Sequence, residues 1–192
     1  MKKRRAIALL VSLLLIVVVV LSGCGSNYLK ADAVKRGISF SFEYPPEYTK
    51  LTPDAFEDNV AGYSVSLLYT EPGSTQEKAD IQIYINPSPP IAGRPDALGW
   101  SEEHLKVLEE ADAGFRLYEQ SSVQVAGING YKLVYYSTIL GNYLDSSNLI
   151  CRDVYIDYKE YIWKIAVLAV DEIDEQAEQV FQHVIETFKF TD

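Results

Sequence analysis

The chain has 192 residues, enough for one domain with its own hydrophobic core. Its 27 acidic side chains outnumber the 17 basic ones, and the formal net charge is −10. This balance argues against nucleic acid as a partner, because proteins that bind nucleic acids neutralise the phosphates with clustered lysine and arginine.

The first 23 residues have the layout of a secretory signal peptide. Four basic side chains at positions 2–5 precede an apolar run from Ala6 to Leu21. This run is shorter than the roughly 20 residues that a membrane-spanning helix needs. A single transmembrane anchor remains the alternative interpretation.

Leu21-Ser22-Gly23-Cys24 resembles the lipobox of bacterial lipoproteins. That resemblance implies a diacylglyceryl group on the Cys24 sulfur and removal of the leader. We therefore predict a signal peptide over residues 1–23, a lipidated Cys24 and a flexible tether over residues 24–35. Acyl chains contribute about 0.8 kcal/mol per buried CH₂, so we expect an extracytoplasmic protein anchored to the bacterial membrane by its lipidated cysteine.

The remaining chain carries 13 basic and 27 acidic side chains, a formal charge of −14. This charge would repel anionic lipid headgroups, which fits a domain that stands off its membrane on a tether. With Cys24 lipidated, Cys151 has no disulfide partner, and a buried strand cysteine is the expected role.

Alternating apolar residues predict the first strands of the domain. Residues 38–44, 63–67 and 81–85 each place apolar side chains at every second position. Four prolines and a glycine within residues 86–96 predict an irregular segment after the third of these strands. Helical spacing then predicts a short helix from Ser101, as its N-cap, to Ala111.

Two hairpins and a final helix are predicted for the second half. Asn129-Gly130 marks the turn of the first hairpin and Lys159-Glu160 that of the second. The strand over residues 161–170 is apolar on both faces, which predicts a central position in the sheet. An apolar stripe over residues 173–188, with Asp171 as the cap, predicts a helix that packs on a sheet. About seven strands and two helices indicate one antiparallel α+β domain over residues 36–192.

Four segments of this layout resemble the PsbP-like family, which includes the extrinsic subunit of photosystem II and many bacterial lipoproteins. The segments are GISFSFEYPPEYT, VAGINGYKLVYY, CRDVYIDYKEYIWKIAVLA and FQHVIETFKF. The resemblance covers most of residues 36–190 and implies an α/β/α sandwich, with a central antiparallel sheet of six to seven strands covered by helices. It also implies a non-catalytic domain that docks on, or assists the assembly of, a membrane complex. It assigns no functional residue.

The residues that could carry chemistry form no recognised motif. His104 and His183 could each be half of a metal site, but they lack ligand spacing, and solvated helix residues explain both. The acidic residues 171–175 could gather calcium, although helix capping is the simpler interpretation. Asp153, Asp157 and Glu43 could pair as catalytic carboxylates only if the fold brought them together. We therefore predict no enzyme, no metal and no cofactor.

Fourteen tyrosines are the richest feature of the composition. Tyrosine is common both in interfaces and in strands. If an open sheet face presents them, the predicted partner surface consists of Arg94, Tyr135, Tyr136, Tyr155 and Tyr158. The sequence thus favours a non-catalytic binding or assembly module for an envelope or membrane protein complex. A carrier of a small ligand or metal ion is the alternative, and a hydrolase is a third, less favoured one.

Overall fold

The computed structural model describes residues 28–51, 65–70, 72–73, 80–92, 95–140, 144, 149–170 and 174–191. The predicted signal peptide, Cys24, residues 63–64, Arg94 and the helix cap at Asp171 lie outside the described residues. Those predictions stay predictions.

A seven-stranded antiparallel sheet forms the centre of the domain, in the order β3-β4-β5-β9-β8-β7-β6. Its strands are β3 (Thr49–Leu51), β4 (Val65–Tyr69), β5 (Ile81–Ser88), β6 (Arg116–Val125), β7 (Ile128–Ser137), β8 (Leu149–Tyr158) and β9 (Tyr161–Val170). Helix α1 (Ala97–Ala111) packs on one face, and helix α2 (Asp174–Thr187) packs on the other. This arrangement confirms the predicted α+β class.

A second sheet of three strands lies on the α2 side. It consists of β1 (Leu29–Lys35), β2 (Ile38–Tyr44) and β10 (Lys189–Phe190), with β2 in the middle. The structure differs here from the predicted tether, because residues 29–35 pair with β2 along their whole length. Three of the seven residues in LKADAVK are charged, and Ala31 is its one buried residue, so the apolar pattern of a strand is faint.

Strand β9 lies between two hydrophobic cores, as its sequence predicts. Trp163, Ile165 and Val167 face the core beneath α2 and β2. Ile162, Ala166 and Leu168 face the core beneath α1. The site described below interrupts this second core.

Helix α1 begins five residues earlier than predicted. Asp96, rather than Ser101, is the N-cap, and its carboxylate accepts a hydrogen bond from the Gly99 amide at 2.8 Å. The Asp157 carboxylate also accepts from the Ala97 amide at 3.0 and 3.1 Å. Ser101 is instead buried inside the helix, where its hydroxyl donates to the Leu98 carbonyl.

The turn of the first hairpin lies at Ala126-Gly127, so the prediction of Asn129-Gly130 was wrong. Both turn residues have positive φ, 53° and 78°, which a two-residue hairpin turn needs. Gly130 is a strand residue, and a Cβ there would lie 2.6 Å from the Tyr155 carbonyl oxygen. Close backbone packing, not turn geometry, explains this glycine. The second predicted turn is confirmed, since Tyr158 pairs with Tyr161 across Lys159 and Glu160.

Strand β5 extends to Ser88, into the segment predicted to be irregular. Pro87 pairs with Trp163 of β9, whereas β4 pairs with β5 only as far as Ile85. Pro87 has no N–H to donate, yet its segment keeps the pairing with β9 through Ser88. The C-terminal end of β5 contributes to the wall of the cavity described next.

Candidate functional site

A cluster of polar side chains lies between α1 and the central sheet, inside an otherwise apolar core. Alternation along the strands directs Tyr135 of β7, Asp153 and Tyr155 of β8, and Lys164 of β9 toward α1. Helix α1 contributes His104, one turn before the buried Leu108. We call these five residues the Asp153 cluster.

One carboxylate oxygen of Asp153 joins the cluster together. Asp153 Oδ2 lies 2.7 Å from Lys164 Nζ and accepts a hydrogen bond from the Tyr135 hydroxyl at 2.8 Å. His104 Nε2 lies 2.9 Å from the Tyr135 hydroxyl and 3.3 Å from the same Asp153 oxygen. The Tyr155 hydroxyl approaches it at 3.4 Å. Asp153 Oδ1 is buried and has no hydrogen-bond partner among the described residues.

The pKa shifts show which charges the cluster holds. Burial acts to raise the pKa of the Asp153 carboxyl, but the Lys164 ammonium and the His104 hydrogen bond outweigh burial and hold that pKa well below its usual range. Burial acts to lower the pKa of Lys164, and the Asp153 carboxylate reverses this effect and raises it. At neutral pH the two side chains therefore form an ion pair.

The other members of the cluster are neutral at pH 7. Burial raises the pKa of both Tyr135 and Tyr155 well above its ordinary value. Burial, followed by the nearby Lys164 charge, lowers the pKa of His104 below 6.5 despite the contact with Asp153. The imidazole is consequently uncharged.

A cavity of about 230 Å³ opens above this cluster, between α1 and the C-terminal end of β5. Its lining combines apolar, aromatic and polar side chains: Asn86, Ser88, Trp100, Glu103, His104, Val107, Tyr155, Ile162 and Lys164. Val107 is 48% exposed at this site, so the cavity reaches the surface of the domain. Concave sites with mainly apolar walls and a few convergent polar groups are typical ligand sites.

The chemistry of the site suits binding better than covalent catalysis. Lys164 is protonated and the tyrosines keep their protons, so none of them is a nucleophile at neutral pH. Cys151 is fully buried beside the cluster, and burial raises the pKa of its thiol. The Tyr135 hydroxyl beside His104 donates its proton to Asp153, and no serine, threonine or cysteine among the described residues is hydrogen-bonded to the imidazole.

The predicted partner surface is not a single surface. Tyr135 and Tyr155 are buried, with exposed fractions of 0% and 2%, because they pack beneath α1 in the Asp153 cluster. Tyr136 and Tyr158 project toward the α2 side, where Tyr158 stacks on Phe190 at 3.5 Å. Sheet alternation separates the two pairs.

The candidate metal residues are also separated. His104 faces the α1 core, whereas His183 lies on α2, where it contacts Glu43 at 3.2 Å and stacks on Tyr28. Within the described part of the chain, no three His, Cys, Asp or Glu side chains gather closely enough to hold a metal ion. Of the acidic run, Asp174 pairs with the buried Arg152.

The three carboxylates considered for catalysis have different surroundings. Asp153 lies in the buried cluster, Asp157 caps α1, and Glu43 contacts His183. The sequence analysis missed Lys164, Trp100 and Glu103 as site residues. One signal was present: Lys164 is the single charged residue of the strand YIWKIAVLAV.

The architecture described above is a PsbP-like fold. No model of a known protein family matches the chain, and no curated protein matches it. Cyanobacterial PsbP (CyanoP) from Synechocystis sp. PCC 6803 has a similar structure, with a TM-score of 0.58 and 13% identity over 88% of this chain and 95% of that one.

Two further solved structures share the fold. LpqN, described as involved in cell envelope biogenesis of Mycobacterium tuberculosis, gives a TM-score of 0.53 and 14% identity over 86% of this chain and 92% of that one. The Ran-binding protein Mog1p of Saccharomyces cerevisiae gives a TM-score of 0.55 and 11% identity over 88% of this chain and 97% of that one. Neither α1 nor α2 is both long enough and apolar enough to span a bilayer, and the same holds for the rest of the described residues.

Proposed function

We propose that the protein is a lipid-tethered, extracytoplasmic, non-catalytic binding module, and that the cavity beside α1 receives a group presented by a protein partner in a cell-envelope or membrane complex. The observation that carries this proposal is the Asp153–Lys164 ion pair, buried at the floor of a cavity that opens to the surface. Two proteins with this fold support the proposal: LpqN is described as involved in cell envelope biogenesis, and Mog1p is described as a Ran-binding protein.

Stability alone gives a poor reason for this ion pair. Removing two charges from water costs several kcal/mol per ion, and well-packed apolar residues in their place are often neutral or stabilising by about 1–4 kcal/mol. Asp153 and Lys164 occupy positions that continue the apolar rows of β8 and β9. A polar group at the floor of a cavity can instead orient a ligand.

The position of the tether leaves the cavity accessible. Cys24 precedes Tyr28 by four residues, which span at most about 14 Å of extended chain. Tyr28 stacks on His183 of α2, on the opposite side of the central sheet from α1. An acylated Cys24 would therefore hold the α2 side nearest the membrane and leave the cavity side for a partner.

Replacing Cys24 with serine is expected to release the protein from the membrane. The variant cannot be acylated, so it lacks the acyl chains that would hold the domain at the membrane. Fractionation of cells followed by immunoblotting measures this shift, with Ser26→Ala as the matched control that stays with the membrane. A Cys24→Ser variant that remains fully membrane-bound contradicts the anchor.

Photocrosslinking from the cavity rim tests the binding role. We expect p-benzoylphenylalanine at Val107, on the cavity side of α1, to give one discrete protein adduct in intact membranes. The same group at Glu109, exposed on the other side of α1, is expected to give none. The Val107 adduct should disappear when Lys164 is replaced by methionine. Equal adducts from both positions, or an adduct that survives this replacement, would count against the proposed site.

A small-ligand carrier is the second candidate, and the concave shape and the volume of the cavity favour it. A carrier would retain a stoichiometric small molecule when the protein is taken from membranes and weighed by native mass spectrometry. A discrete Val107 adduct without such a molecule supports the partner-binding role, and a retained molecule without an adduct supports the carrier.

A further inference from the structure

His104 contributes a hydrogen-bond acceptor to the cavity, which follows from its tautomer. The Tyr135 hydroxyl donates its only proton to Asp153 Oδ2 at 2.8 Å, so its oxygen must accept from His104 Nε2 at 2.9 Å. A neutral imidazole protonated on Nε2 carries a lone pair on Nδ1. No described residue donates a hydrogen bond to that nitrogen, and His104 lines the cavity.

Lys164 contributes a hydrogen-bond donor to the cavity. Its ammonium has three N–H groups. One is directed to Asp153 Oδ2 at 2.7 Å, a second hydrogen bond joins Lys164 to the Tyr155 hydroxyl, and Nζ lies 5.3 Å from the centre of the Tyr84 ring. Because Lys164 also lines the cavity, its remaining N–H can donate to a group that enters there.

The charges around the cavity favour a neutral ligand. The Lys164 charge is already matched by Asp153, so an anion would enter without a counter-charge of its own. A cation would lie against the Lys164 ammonium. Either ion would lose its hydration without adequate compensation.

The walls and the size define the rest of the ligand. Trp100 and Val107 of α1 and Ile162 of β9 add apolar surface beside the polar groups. The cavity of about 230 Å³ lies below the roughly 300–1,000 Å³ of sites for drug-sized molecules. It therefore has room for a small planar or apolar group with one polar end.

We propose that the cavity binds a neutral carboxamide carried on an apolar group, such as an asparagine or glutamine side chain of the partner protein. The carbonyl oxygen accepts from Lys164, and the amide N–H donates to His104 Nδ1. A carboxamide matches both groups at once, whereas a carboxylate lacks the donor and an ammonium lacks the acceptor. This inference deepens the proposed function at the same cavity and does not depend on the lipid anchor.

Benzamide, benzoate and benzylamine form a matched set of probes. Their dissociation constants are measured by ligand-observed NMR on the full chain in lipid nanodiscs. We expect benzamide to bind with millimolar affinity, and benzoate and benzylamine to bind at least about tenfold more weakly, a difference of about 1.4 kcal/mol. Benzoate or benzylamine binding as tightly as benzamide would overturn the proposal.

Variants assign the binding to the two side chains. His104→Phe keeps an aromatic ring but removes Nδ1, and it is expected to weaken benzamide binding at least about fivefold. Lys164→Met is expected to do the same, and Lys132→Met, on the opposite face of the sheet, serves as its control. If Lys164→Met unfolds, His104→Phe alone decides the outcome, and unchanged benzamide affinity in that variant overturns the assignment.

The two proposals can fail separately. Selective benzamide binding without a Val107 adduct would support the carboxamide site and contradict the protein partner. A Val107 adduct that depends on Lys164, together with no preference for benzamide, would leave the partner and reject the carboxamide.

Discussion

Replacing Asp153 with alanine is expected to lower the free energy of unfolding by about 3–5 kcal/mol, because it leaves the Lys164 ammonium buried without its counter-charge. The Tyr135 hydroxyl also loses its acceptor. Both side chains are deeply buried, with 17% of Lys164 and none of Tyr135 exposed. Urea unfolding at neutral pH, followed by circular dichroism, measures the change.

The double variant Asp153→Leu with Lys164→Met separates function from stability. It removes both charges and keeps most of the side-chain volume, so we expect its free energy of unfolding to return to within about 1 kcal/mol of the original protein or to exceed it. The same variant should lose the Val107 adduct and benzamide binding. A stable double variant that still gives the Val107 adduct and still binds benzamide would show that the ion pair has no role in recognition.

Glu119→Gln provides the reference for an ordinary ion pair. Glu119 pairs with Lys132 at 3.0 Å, and its side chain is 44% exposed. Loss of this ion pair is expected to lower the free energy of unfolding by less than about 1 kcal/mol, as for other surface pairs. An Asp153→Ala variant no less stable than Glu119→Gln would contradict the argument that burial makes the Asp153 pair costly to break.

Strong periodic patterns made much of the fold predictable. Strand β2 alternates apolar and polar residues, β9 is apolar on both faces, and the stripe of α2 is long. Each pattern records which faces are buried, and burial is the main determinant of element type. These three elements also fix the layered arrangement, because each apolar face needs a covering partner.

The remaining errors concern local features that the pattern does not determine. Strand β1 has little apolar signal because it lies at a sheet edge and contributes mainly backbone hydrogen bonds with β2. The start of α1 depends on which of two capping residues is used, and Asp157 from a distant strand favours the earlier start at Asp96. Such long-range contacts cannot be found by inspecting one segment.

The candidate site was only partly predictable. A charged residue inside an apolar strand was a visible signal for Lys164, and Asp153 was considered as a possible catalytic carboxylate but not as the partner of Lys164. Their pairing depends on the register of β8 against β9, and the cavity depends on the position of α1. The composition suggested that the tyrosines form an exposed interface. Two of them, Tyr135 and Tyr155, instead belong to this buried cluster.

Asp112 is expected to make stability depend on pH in the acid range. This residue follows the last residue of α1, and its carboxylate accepts from the Ser137 hydroxyl at 2.8 Å, the Thr138 hydroxyl at 2.6 Å, the Thr138 amide at 2.8 Å and the Gly114 amide at 2.9 Å. Burial acts to raise the pKa of this carboxyl, but the hydrogen bonds from Thr138, Ser137 and Gly114 outweigh burial and lower it to about 2.

A pKa that is lower in the folded state than in the unfolded state sets the direction in which stability changes with pH. The unfolded chain binds the proton at about 3.8 and the folded chain only near 2, so the stabilisation is fully present above about pH 4 and is lost as the pH falls toward 2. In Asp112→Asn, the amide group cannot accept all four hydrogen bonds. We expect a loss of about 2–3 kcal/mol at pH 7, because buried donors are left unpaired.

The difference between the original protein and Asp112→Asn should therefore shrink between pH 5 and pH 2.5. Urea unfolding of both proteins across this range measures it, and comparing the two cancels the contribution of Asp153, which is present in each. Asp32→Asn, an exposed carboxylate on β1, is the control and should differ little from the original protein at any pH. A constant difference for Asp112→Asn would mean that its cost comes from packing, because only a charge-dependent network at the end of α1 disappears on protonation.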